Sequence, residues 1–109
     1  MDDWIEYSPA GGWASFARSE ALTDALWGRL PADDWHYLNF VVGSSVWESR
    51  RDASMVSAHS EGKRVVHLAA QGGAARAVVS HLAVEFGLVV VVTSEAEQDV
   101  AGDRGPQSS

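Results

Sequence analysis

The chain has 109 residues, 8 basic against 15 acidic side chains, a formal net charge of −7, and 46% hydrophobic residues. This length accommodates one small domain around a single core and excludes a large two-domain enzyme, and the composition excludes a wholly disordered chain and a heptad coiled coil. The acidic balance also argues against a broad basic surface, so neither nucleic acid nor an anionic membrane is an expected partner.

Cysteine is absent, which removes disulfides, thiolate nucleophiles and cysteine-based metal sites, and leaves the domain to hold itself by packing. The start, Met1-Asp2-Asp3-Trp4, is acidic where a secretory leader is basic, and no apolar run approaches the ~20 residues of a membrane span. A cytoplasmic location is expected. Lys63 is the single lysine against seven arginines, with abundant Ala and Val, a usage associated with high-GC bacterial genomes.

In chain order, residues 3–7 suit a short first strand, stopped by Ser8-Pro9. Residues 15–30 place Leu22, Ala25, Leu26 and Leu30 at helical spacing, with Ser19 as the cap of the main part, Glu20 in the first turn, Arg29 in the last and Pro31 as the stop. Residues 35–42 read as a strand apolar on both faces, which calls for cover on both sides. A more polar returning strand over residues 46–51 is expected nearer an edge of the sheet.

Residues 55–68 contain two strand-like runs around Glu61-Gly62, a pair suited to a tight hairpin turn. With that pair as the loop, Ser60 faces Lys63, His59 faces Arg64, and His59 and His67 fall on opposite faces. A second helix follows, with Ala75, Val78, Val79, Leu82 and Phe86 as its apolar stripe and Gly87 as its end. The β-branched run over residues 88–93 predicts an interior strand, and residues 96–109 are polar enough to predict a disordered tail.

Together these elements predict the α+β class. The expectation is one domain over residues 1–95, mainly an antiparallel sheet of about four to six strands with two helices packed on one face. A ferredoxin-like split βαβ arrangement is the alternative.

Chemistry is harder to find. His36, His59, His67 and His81 lack metal-ligand spacing, so no metal or other cofactor is expected. Gly43-Ser44-Ser45 lies between strands and lacks the pattern of a nucleophile elbow, and Asp33-Asp34 after Pro31 reads as a solvated turn. No motif fixes a reaction, and the balance leans away from an enzyme.

Gly72-Gly73 joins a predicted strand to a helix whose free amides would suit an anion, with Arg76 in the first turn. The run Gln71-Gly72-Gly73-Ala74-Ala75-Arg76, with its helix and Val-rich strand, resembles the pyrophosphate-binding loop of the acetyl-coenzyme A dependent N-acetyltransferases, over about a quarter of the chain. Ala74 and Arg76 stand where that family prefers Gly and Gly or Ala, and the chain is too short for its complete fold. The resemblance implies an anionic ligand held by Gly72, Gly73 and Arg76.

The chain has five tryptophans, many for so small a core, and aromatic side chains dominate binding hot spots. Residues 1–50 also hold eight acids and three arginines, against three acids and four bases over residues 51–88. Trp27, Asp33, Asp34, Trp35, Trp47 and Glu48 therefore form the leading candidate contact surface for a protein partner or a second copy of the chain. The functional expectation is a small acidic protein-binding module with an inhibitor, immunity-type or adaptor role. A small ligand-binding domain or enzyme using the 71–76 loop is the alternative.

Overall fold

Alternation of side chains along each strand sorts the sheet into an apolar face, covered by helices, and a mixed, open face on which no described helix packs. A computed structural model describes residues 3–39 and 41–91. Its strands are β1 (Ile5–Pro9), β2 (Trp35–Leu38), β3 (Ser44–Ser49), β4 (Met55–Glu61), β5 (Arg64–Gln71) and β6 (Leu88–Val90), and its helices are α1 (Ser19–Arg29) and α2 (Gly73–Phe86). The six strands form one sheet in the order β2-β3-β4-β5-β1-β6, every neighbouring pair antiparallel. This is the expected α+β domain. The polar residues 96–109, expected as a tail, lie outside the described residues.

The core lies between sheet and helices. Tyr7, Trp35, Trp47, Val56, Ala58, Val65, Leu68, Ala70 and Leu88 come from the strands, and Leu22, Leu26, Ala75, Val79, Leu82 and Phe86 from the helices. Leu22, Leu68 and Leu82 are fully buried, each contributing about 1.5–3 kcal/mol by removal from water. Helix α2 lies across β4, β5, β1 and β6, while α1 packs on α2 and β5. Gly87, at φ 72, ends α2 in the left-handed conformation and returns the chain to the sheet.

Several expectations are corrected. Strand β2 stops at Leu38 and forms an edge, while Val41 and Val42 sit exposed in the following turn and Phe40 lies outside the described residues. Strand β3, expected near an edge, is interior, because its alternation sends Trp47 and Ser49 to the helix side while β2 and β4 pair on either flank. Strand β6, expected inside the sheet, is the opposite edge, with Val89 and Val90 exposed. The place beside β5 belongs to β1, whose Tyr7 hydroxyl meets Ser80 Oγ of α2 at 3.2 Å.

Ser19 does not cap α1. Arg18 occupies the cap position without a capping side-chain bond, and the buried Ser19 hydroxyl instead accepts the Val65 N–H at 3.0 Å. The predicted hairpin is present, but its loop is Gly62-Lys63 and its register shifts between His59 and Ser60. Val66 is the extra residue of this bulge, so His59 faces His67 on the open face, not the opposite one.

Candidate functional site

Three regions carry the residues singled out from sequence, and the aromatic corner is the first. Trp27 projects from α1 over the β2 edge, its ring 4.8 Å from Tyr37 and 5.2 Å from Trp47 between centroids, with Tyr37 and Trp47 5.4 Å apart. Trp27 is 49% exposed and Tyr37 38%, whereas Trp47 is 2% exposed. The buried indole is thus the floor on which the two outer rings rest. The Tyr37 hydroxyl is held by Ser45 Oγ at 2.9 Å and by Asn39 Nδ2 at 3.3 Å, and Asn39 Nδ2 also donates to Ser44 O at 2.6 Å.

Of the six candidate contact residues, Trp27 is exposed at this corner and Asp33 and Asp34 are exposed in the turn between α1 and β2, with Asp24 one helical turn before Trp27. Trp35 and Trp47 belong to the core, and Trp47 supports the surface from beneath. Glu48 points to the other face of the sheet, where it lies opposite His36. Tyr37 was missed because the strand pattern alone does not say that α1 ends beside it.

The second region is the start of α2. Ala74 N–H donates to Asp52 Oδ2 at 3.1 Å and Ala75 N–H to Ser54 Oγ at 3.0 Å. Asp52 Oδ1 in turn accepts the Ser54 hydroxyl at 2.6 Å and the Ser54 N–H at 3.0 Å. These bonds, the Ser54 hydroxyl first and then the N–H groups of Ser54 and Ala74, lower the Asp52 carboxyl to about 2. Two amides at the start of this helix, those of Ala74 and Ala75, therefore already face an internal carboxylate and hydroxyl. Arg76 turns elsewhere, donating from Nη2 to Asp3 O at 3.1 Å.

The loop that supplies Asp52 is itself tightly built. Ser49 N–H donates to Ser54 O at 2.7 Å and Ala53 N–H to Ser49 O at 3.0 Å, which holds Ala53 at φ 60. The Asp52-Ala53-Ser54 spacing is that of a side chain turning back on its own backbone. That signal is present in the sequence, although the link to α2 is tertiary.

The third region is the open face. His59 and His67 are cross-strand neighbours there; His59 Nδ1 meets Ser44 Oγ at 3.2 Å, and His67 Nε2 lies 3.8 Å from Glu6 Oε2. His36 lies apart, opposite Glu48, and His81 is exposed on α2. Among the described residues, no group of three or more His, Asp or Glu side chains could hold a metal ion. No helix among them is long and apolar enough to cross a membrane.

Comparison with protein families, with characterised proteins and with solved structures finds no match to this chain.

Proposed function

We propose that the protein is a binding module that contacts a basic protein partner through the corner formed by Trp27 and Tyr37, in an inhibitor, immunity-type or adaptor role. The observation that carries this reading is the support given to Trp27. A half-exposed indole on a helix ordinarily samples several rotamers, whereas this one rests on a buried Trp47 and a hydrogen-bonded Tyr37. A pre-ordered aromatic anchor loses little side-chain entropy on binding. Asp24 lies one helical turn before Trp27, and Asp33 and Asp34 stand exposed in the turn from α1 to β2; their negative charge favours a partner bearing Lys or Arg and speeds its approach.

The corner also borders the outer edge of β2, which pairs with no other described strand. Trp35 N–H donates to Pro31 O and Arg50 N–H to Asp34 O, so the alternation turns the backbone groups of Tyr37 away from β3. An extended partner segment can pair there while its side chains reach Trp27. The alternative reading, an anion site at the 71–76 loop, has less support because Asp52 and Ser54 take the Ala74 and Ala75 amides and Arg76 bonds to Asp3 O.

Affinity capture with the wild type, Trp27→Ala and the double charge reversal Asp33→Lys/Asp34→Lys tests the proposal. The expected result is one protein retained near stoichiometry by the wild type, through a basic surface, and lost with both folded variants. Equal retention by all three overturns the proposed surface. Recovery of a second copy of this chain alone replaces it with self-association.

A further inference from the structure

The open face of the sheet contains a second recessed site, remote from the Trp27 corner and on the opposite side of the strands. Its floor follows from the register. Ser57 and Ala69 are directly paired across β4 and β5, and Glu6 of β1 is paired with Ala69 on the other side. Small side chains thus meet where the adjoining positions carry larger ones, and Ala69 is buried although no described helix lies over its face. The resulting pocket, about 320 Å³, is lined by Trp4, Glu6, Ser57, His67 and Ala69. This volume lies at the small end of the range found for ligand sites.

The walls have a definite chemistry. Trp4 is 45% exposed, and the residue before it is tied down by the Arg76 bond to Asp3 O at 3.1 Å. Arg76, singled out from sequence as an anion ligand, thereby anchors the segment that bears the indole. Glu6 lies 3.8 Å from His67 through Oε2, beyond hydrogen-bond distance, so its carboxylate retains acceptor capacity for another donor. An indole and a carboxylate lining the same small, largely apolar recess are complementary to a cation carried on a short hydrocarbon stem. The net charge of −7 favours the same sign of ligand.

We infer that the Trp4–Glu6–His67 pocket binds a small organic cation, a primary ammonium or guanidinium on a short alkyl chain, with the charged head on Glu6 and the stem against Trp4. The site is independent of the proposed protein contact, because it uses none of its residues and lies across the sheet from it.

The test is titration of the isotopically labelled protein with butylamine and with butylguanidine, followed by amide and indole NMR shifts, with 1-butanol and butyrate as neutral and anionic controls. The expected result is saturable millimolar binding of both cations, with shifts centred on Trp4, Glu6, Ser57 and His67. Trp4→Ala and Glu6→Gln should each weaken that binding about three- to fivefold, with the α2 resonances undisturbed. Equal shifts with 1-butanol would reduce the site to an apolar hollow and overturn the inference. Absence of saturable shifts, or unchanged affinity in a folded Glu6→Gln variant, would overturn it as well.

Discussion

Asp52 Oδ2 accepts the N–H of Ala74 at 3.1 Å, so a carboxylate from the β3–β4 loop closes the start of a helix 22 residues further along the chain. A negative charge at a helix N-terminus also complements the helix dipole. The bond ties the loop to α2.

This gives the protein a defined acid response. The Asp52 carboxyl is lowered from 3.8 to about 2 in the folded chain. Its contribution to stability is therefore complete above the unfolded value and is lost as pH falls from about 4 through about 2. Asp52→Ala should lower the thermal midpoint at pH 7, and the gap from the wild type should close as pH falls toward 2. A gap that stayed constant from pH 7 to pH 2, measured by circular dichroism, would show that the charge contributes nothing.

Ser19 supplies a second long-range tie. Its hydroxyl accepts the Val65 N–H in a buried setting, so Ser19→Ala leaves that amide without a partner. The expected cost is about 1–3 kcal/mol, or about 4–8 °C in thermal midpoint for each kcal/mol lost in a domain of this size. Hydrogen exchange at Val65 should accelerate in the variant, which a mere change in α1 helicity would not produce.

Gly43 is intolerant of a side chain on two counts. It lies at φ +85, and a Cβ there would stand 2.5 Å from the Ser60 carbonyl oxygen. That close approach accompanies the Ser60 N–H bond to Gly43 O at 2.8 Å. Gly43→Ala should cost about 1–3 kcal/mol in urea unfolding; a variant as stable as the wild type would mean that the turn relaxes freely.

The aromatic corner separates support from contact. Trp47→Ala removes a core residue and should cost about 3–5 kcal/mol. Trp27→Ala should cost only about 0.5–1.5 kcal/mol, the scale of an aromatic pair at a surface. Near-equal losses in urea unfolding would show that Trp27 is part of the core and not a surface anchor.

The helices were legible from sequence because their apolar positions recur at a single period, and Gly87 marks the end of α2. Strand position was not. The Val-rich run after Gly87 looks interior, yet its neighbour is decided by Tyr7 and α2 rather than by its own residues. The hairpin shows the same limit at finer scale. Val65 and Leu68 both face the helices although three positions apart, which strict alternation forbids and the extra residue Val66 permits. Matching the apolar face of β4 to that of β5 would have required such a residue and would have brought His59 opposite His67. The Trp4 pocket depends on three strands in register, and no local pattern encodes it.

The place of β1 has a kinetic consequence. Strands β2 to β5 follow one another as neighbours, so each can pair soon after it is made, whereas Ile5 waits for Ala70 and Tyr7 for both Leu68 and Val90. Closing so large a loop costs more entropy than closing any hairpin of the meander, and such long-range pairing slows folding. During synthesis the first strand leaves the ribosome early and remains without a neighbour until β5 has emerged. The last strand, β6, has no docking edge until β1 has taken its place, so the two end strands add one after the other on the β5 side of a meander formed before them.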